Sequence, residues 1–96
     1  MKILIRALVE NCSWVDYIAF DPRTRRIYAT CGDTPTGTGA AYIFQESDQR
    51  ELESLGSLET APRGKTGLYV PELNRLFVSI PHYGGTTAKI LVYEVN

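Results

Sequence analysis

The sequence predicts an all-β fold built from two antiparallel units in tandem, and three observations predict it. The first is an internal repeat. Residues 18–31, IAFDPRTRRIYATC, lie over residues 67–80, GLYVPELNRLFVSI, with Pro22 on Pro71, Arg26 on Arg75, Ile27 on Leu76 and Tyr28 on Phe77, an offset of 49. The second is that this register holds outside the block: YIFQ at 42–45 overlies LVYE at 91–94, and Glu10 overlies Glu59. The third is texture, since short runs of β-branched and aromatic residues alternate with proline, glycine and aspartate turns, as half-buried strands do. A period of this size in strand-like sequence points to β-propeller blades, whose repeats run about 40 to 50 residues. Two antiparallel four-stranded blades are therefore expected, as part of a closed ring or an oligomer.

Residues 15–20 form the first strand, apolar apart from Asp16. Asp21, Pro22, Arg23 and Thr24 supply turn chemistry, because proline presets φ at the first corner and the preceding aspartate bonds back to the backbone. Residues 26–31 return as the second strand and complete a hairpin. The stretch 32–39, GDTPTGTG, is a loop rich in glycine, and residues 40–45 are a third strand. After a polar turn at 46–49, residues 51–58 form a fourth strand; SDQRELESL at 47–55 also holds good helix formers, so a short helix competes there. The repeat register favours strand.

The second unit follows the same order. Residues 66–70 are its first strand, Pro71 to Asn74 its turn, 75–80 its second strand, 81–87 its loop (PHYGGTT) and 89–95 its third strand. No fourth strand follows. Its counterpart stands at the front, because residues 2–9 overlie 51–58 at the same offset. The order reads d-a-b-c-d-a-b-c, with blade one at about residues 10–58, blade two at about 59–96 and one outer strand, residues 2–9, displaced to the N-terminus. Such a strand completes the last blade of a ring by pairing across it, so here the fourth strand is expected from another molecule or from further sequence.

Composition bounds the function. Ten Lys and Arg against eleven Asp and Glu leave a net charge of -1, which gives no electrostatic footing for nucleic acid or an anionic membrane. Arg23, Arg25 and Arg26 form the one basic cluster, and a hairpin turn accounts for it. No apolar run approaches the roughly 20 residues of a membrane span. The opening MKILIRALVE carries Arg6 and Glu10 and is no secretory signal.

At DYIAFDPRTRRIYATCGD, and again at TAPRGKTGLYVPELNRLFVSIPHYGG followed by AKILVYEV, the chain resembles the YVTN-type β-propeller repeat proteins of the YncE-like group, over residues 12–95. It looks like the C-terminal two blades of such a protein. The resemblance implies a seven-bladed parent, often exported, with no established catalytic activity. With a start methionine set directly before a fourth-strand segment, a fragment, a truncated reading frame or a deliberate excision is expected. Two blades alone leave two apolar faces bare, more than a monomeric soluble protein usually exposes. The chain is therefore expected to self-associate, as a ring of three or four copies, or to depend on the remaining blades of a parent.

Candidate chemistry is sparse. Cys12 precedes the first strand and Cys31 ends the second, on the same side of one hairpin, so a disulfide is geometrically allowed in an oxidising compartment. The ordinary reading is two half-buried thiols. With His82 they do not make a four-ligand zinc set, and no signature of a nucleophilic cysteine surrounds either. Gly64, Lys65 and Thr66 resemble the end of a phosphate loop, but the position that loop needs as glycine is Glu59, and strand follows rather than helix. Asn11-Cys12-Ser13 is a chance glycosylation match. Asp16, Asp21, Asp33 and Asp48 lack calcium-loop spacing.

What remains is geometry. Loops 11–16, 31–40, 60–65 and 80–88 should share one face and present Trp14, Asp16, Asp33, Arg63, Lys65, His82 and Tyr83, a mixed polar and aromatic set suited to ligand contact. The expected function is a non-catalytic scaffold or binding module with no cofactor and no metal. A lactonase-like propeller hydrolase is one alternative, although the first strands offer chiefly Asp16 as a metal ligand. A self-assembling minimal propeller is the other.

Overall fold

The structure, a computed structural model, describes residues 2–64 and 66–95. Among them are seven strands and one short 3-10 turn: β1 (Val15–Asp21), β2 (Arg26–Cys31), β3 (Ala40–Glu46), β4 (Leu52–Glu59), β5 (Thr66–Val70), the turn Pro71–Leu73, β6 (Arg75–Ile80) and β7 (Lys89–Glu94). They make two antiparallel sheets, one in the order β1-β2-β3-β4 and one in the order β5-β6-β7. Each is a meander in which every strand pairs with its chain neighbour.

The repeat reaches down to single hydrogen bonds. Both first turns end on a residue with left-handed backbone, Arg25 at φ 61 and Asn74 at φ 53. From there the carbonyl of Arg25 accepts from the Glu46 amide and that of Asn74 from the Val95 amide, at 2.9 Å in each unit. Asparagine tolerates this backbone, whereas arginine there costs about 1–2 kcal/mol. Arg25 is held by Asp48 at 2.8 Å and Glu46 at 3.4 Å.

Alternation along the strands decides what is buried. On the first sheet Tyr17, Ala19, Asp21, Tyr28, Ala41 and Ile43 share one face, set by the pairs Tyr17↔Thr30, Ala19↔Tyr28, Thr30↔Ala41 and Tyr28↔Ile43. On the second, Tyr69, Leu76, Val78, Ile80, Leu91 and Tyr93 share a face through Tyr69↔Leu76, Leu76↔Tyr93 and Val78↔Leu91. These two faces pack on each other and form the core, with Tyr28, Leu76, Val78 and Ile80 at its centre. Strands β1 and β5 approach closely, since a Cβ on Gly67 would stand 3.1 Å from the Tyr17 ring and 3.3 Å from the Thr30 methyl.

The hairpins and the loops between strands stand where the sequence puts them, and residues 52–59 are strand rather than helix. A bulge lies in β4, where Ile43 pairs with Gly56 and Phe44 with Ser54, leaving Leu55 as the extra residue. Gly56, at φ 113, supplies the backbone freedom that a bulge needs.

One expectation is corrected. The second sheet has three strands, and residues 2–9 form no strand at all. The Tyr42 hydroxyl donates to the carbonyls of Glu10 and Asn11 at 3.3 and 3.5 Å. Tyr42 pairs with Ala29 and so lies on the face of the first sheet turned away from the second. The segment before it leaves on that side and does not pair with the β7 edge of its own chain. Ile3, Leu4 and Leu8 consequently remain exposed.

Candidate functional site

Four loops are clasped together at one end of the sheets. Cys12 and Cys31 are bonded in a disulfide with Cα atoms 6.0 Å apart, so the reading of two separate thiols is replaced by a covalent tie. The sulfurs also lie 3.0 and 3.1 Å from the carbonyl oxygens of Trp14 and Asp33; bonded to each other, they have no hydrogen to donate, and these are close S···O contacts. The Ser13 amide donates to the Asp33 carbonyl at 3.1 Å, the Arg63 amide to Gly32 at 2.9 Å and the Thr60 amide to Gly39 at 2.9 Å. Backbone bonds thus join loops 11–16 and 60–65 to loop 31–40, and loop 80–88 is tied in by the side-chain contact of Tyr83 with Arg63.

Arg63 sits at the centre. Its backbone is left-handed at φ 65, in a turn closed by the Gly64 amide on the Ala61 carbonyl at 3.0 Å. The guanidinium carbon lies 4.6 Å from the Tyr83 ring centroid and 5.2 Å from that of Trp14, within cation–π range of both. Its Nη2 donates to the Tyr83 hydroxyl at 3.2 Å. That bond, the Tyr83 oxygen and, more weakly, Asp33 hold Arg63 still more firmly protonated than usual. Tyr83 is fixed by a tight turn in which it exchanges two backbone bonds with Thr86, at 3.1 and 2.9 Å, across Gly84 at φ 57.

The other expected residues fall around this cluster. Asp16 is the extra residue of a bulge in β1, between the pairs Val15↔Cys31 and Tyr17↔Thr30, and a bulge re-aims its side chain. Its carboxylate accepts from the Thr66 hydroxyl at 3.4 Å, across the two sheets. His82 is exposed next to Tyr83. Lys65 lies outside the described residues. Trp14, Asp33, Arg63 and Tyr83 are therefore brought together, while Asp16 sits on the neighbouring seam. Among the described residues no three His, Cys, Asp or Glu side chains gather in a metal-binding group.

Sequence reading missed a second cluster at the opposite end. Asp21 is fully buried and accepts from Arg23 Nε and Nη2 at 3.2 and 3.1 Å and from the Tyr69 hydroxyl at 2.9 Å. Arg23 reaches on to the Pro71 carbonyl and Asn74 Oδ1, both at 2.8 Å. The Arg23 bonds, against the opposing effect of burial, hold the Asp21 carboxyl well below the usual carboxylate range. Burial, then the Asp21 bond, push Tyr69 up to about 12. Asp21 and Tyr69 are buried between the sheets while the Arg23 side chain is half exposed at their edge, and together they tie the first turn of one sheet to the other as a latch. Asp followed two residues later by Arg was its only signal in sequence, and any surface turn could carry that.

No family model, no curated protein and no solved structure matches the chain. The site is read from its own chemistry: a guanidinium within range of two aromatic rings and a neighbouring carboxylate. A shallow cleft of about 200 Å³ lined by Thr34, Thr36, Thr38, Tyr42, Ser57 and Glu59 includes none of these side chains. No helix among the described residues is long and apolar enough to cross a membrane.

Proposed function

We propose that the chain is a pair of adjacent β-propeller blades of the YVTN-like kind, acting as a non-catalytic scaffold whose contact surface is the loop end. The observation that carries this reading is the clasp of four loops from both sheets around Arg63, Trp14 and Tyr83. Support for the blade reading comes from the 49-residue offset, from the meander order of each sheet and from the close approach of the first strands β1 and β5. Radial stacking of such sheets is how propellers bury their faces.

A guanidinium with rings on it keeps in-plane N–H groups for an acceptor. An acidic group on a partner protein suits that arrangement, with Trp14 and Tyr83 supplying rigid apolar contact. Titration of ¹⁵N-labelled protein with short acidic, neutral and basic peptides tests it. Acidic peptides should move the amide signals of residues 13–16, 32–33, 62–64 and 82–84, and Arg63→Ala should abolish the shifts. Shifts elsewhere, or shifts indifferent to Arg63→Ala, overturn the binding surface. Turnover of a lactone by the purified chain overturns the non-catalytic reading.

A further inference from the structure

The two sheets do not pack like against like. The core face of the first sheet holds Ala19, Asp21, Tyr28, Ala41 and Ile43; at the repeat offset these correspond to Leu68, Val70, Phe77, Ile90 and Val92, which form the outward face of the second sheet. The core face of the second sheet holds Gly67, Tyr69, Leu76 and Val78, whose counterparts Ile18, Phe20, Ile27 and Ala29 form the outward face of the first. The internal contact is thus head-to-tail, and it leaves one unused head and one unused tail. Ile18 at the one and Ile90 at the other are 67% and 68% exposed, while Ala29 and Phe44 on the outward face of the first sheet are already buried, with residues 8–11 near Tyr42 and Phe44.

The unused faces match each other residue by residue. Inside the chain the Tyr69 hydroxyl bonds Asp21 and its ring lies 4.5 Å from that of Tyr28. The counterparts of this trio are Phe20, Val70 and Phe77. Both aromatic rings are kept, and the hydroxyl and the carboxylate that satisfied each other are lost together, which is what a buried contact between these two faces requires. Volume is exchanged in the same way. Tyr17 packs on Gly67 inside, whereas the counterparts are the smaller Thr66 and the larger Ile18. Arg23 meets Asn74 inside, and the counterparts are Glu72 and Arg25, an acid opposite a base.

The N-terminal segment completes the pattern. Residues 3–10 are the counterpart of β4, which pairs with β3 in the register Ala41↔Leu58 and Tyr42↔Ser57. Transferred by the offset, that register sets Val9 opposite Ile90 and Leu8 opposite Leu91 on the free edge of β7. The Glu59 carbonyl at the end of β4 accepts from Tyr93 of the second sheet at 2.9 Å, and the carbonyl of its counterpart Glu10 accepts from Tyr42 of the first at 3.3 Å, so both ends are held by a tyrosine hydroxyl although Tyr42 and Tyr93 are not themselves counterparts.

We infer that the occupant of both unused faces is a second copy of this chain, associating head-to-tail, with residues 3–10 of one copy added as the fourth strand beside β7 of the next. The complementary residues all belong to this one sequence, which favours an identical neighbour over an unrelated polypeptide. Heterologous contacts of this kind make rings when the rotation closes, and about two to four copies supply the 4 to 8 sheets of a closed ring. The inference rests on the two-blade reading, and its test is independent of the peptide titration.

The test is light scattering on the full chain, joined to disulfide trapping between two separately made variants, Val9→Cys and Ile90→Cys. A discrete multiple of the chain mass is expected, with a covalent Val9→Cys/Ile90→Cys heterodimer after mixing and mild oxidation, and none when Leu8→Cys replaces Val9→Cys, because the register turns that residue to the other side. Ile18→Lys and Ile90→Lys, both outside the core, should each reduce the mass to that of a single folded chain. A folded monomer, an oligomer that gives no cross-link or the off-register one, or a chain that folds only when another polypeptide is added overturns it.

Discussion

Gly39 has no room for a side chain: a Cβ there would stand 2.5 Å from the Ala61 carbonyl oxygen and 2.9 Å from that of Cys31. Both are backbone atoms and cannot turn away, so Gly39→Ala should cost about 2 kcal/mol by overpacking, seen as a lower thermal midpoint. Asp21 and Tyr69 set opposite limits on pH. Because the folded state holds Asp21 below its unfolded value, its contribution is present above about pH 4 and is lost as the pH falls beneath that. Tyr69 is pushed up to about 12, so its contribution is complete below about pH 10 and disappears as the pH rises further. Stability measured by denaturant titration should therefore decline at both extremes. Asp21→Asn should flatten the acid decline and Tyr69→Phe the alkaline one; an acid limb unchanged in Asp21→Asn would assign it to other carboxylates.

At the scale of elements, the Cys12–Cys31 bond closes a separation of 19 residues, for which loop closure predicts about 3 kcal/mol. Replacing both cysteines by serine should lower stability by roughly that amount and weaken the hold of loop 11–14 on loop 31–33, read as faster amide exchange at Ser13. Leu76 is fully buried between the sheets, and Leu76→Ala should cost about 3 kcal/mol, large enough to unfold much of so small a domain. Hairpins were legible in sequence because turn chemistry is local. The bulges at Asp16 and Leu55 were not, since a bulge is defined by the partner strand and one extra residue leaves no mark in a hydrophobic pattern.

For the whole molecule, the inferred assembly makes stability depend on protein concentration. Deleting residues 2–9 removes residues that are mostly exposed in the single chain, Ile5 and Val9 being half-buried, so circular dichroism should stay that of a β protein while the mass by light scattering falls to one copy. An unchanged oligomer after that deletion would show that the β7 edge is filled by something else. The loop end was legible as a set of loops, because strand order alone sends residues 11–16, 31–40, 60–65 and 80–88 to one end. Which of their side chains meet was not. Arg63 between Trp14 and Tyr83 depends on a left-handed backbone at Arg63 and a two-residue turn after Tyr83, neither of which spacing can specify.

Seven of the eight expected strands, their turns and the two-unit order follow from the chain's own pattern, because alternation and turn residues act over a few positions and the repeat states them twice; residues 2–9, the eighth, form no strand. Three features had to come from the folded chain: residues 2–9 do not pair with β7, Cys12 and Cys31 are joined, and Asp21 and Tyr69 are latched by the half-exposed Arg23. Each of these depends on distances between segments far apart in the chain. Such distances are set by which face packs on which, and a pattern of apolar residues names the faces without naming their partners.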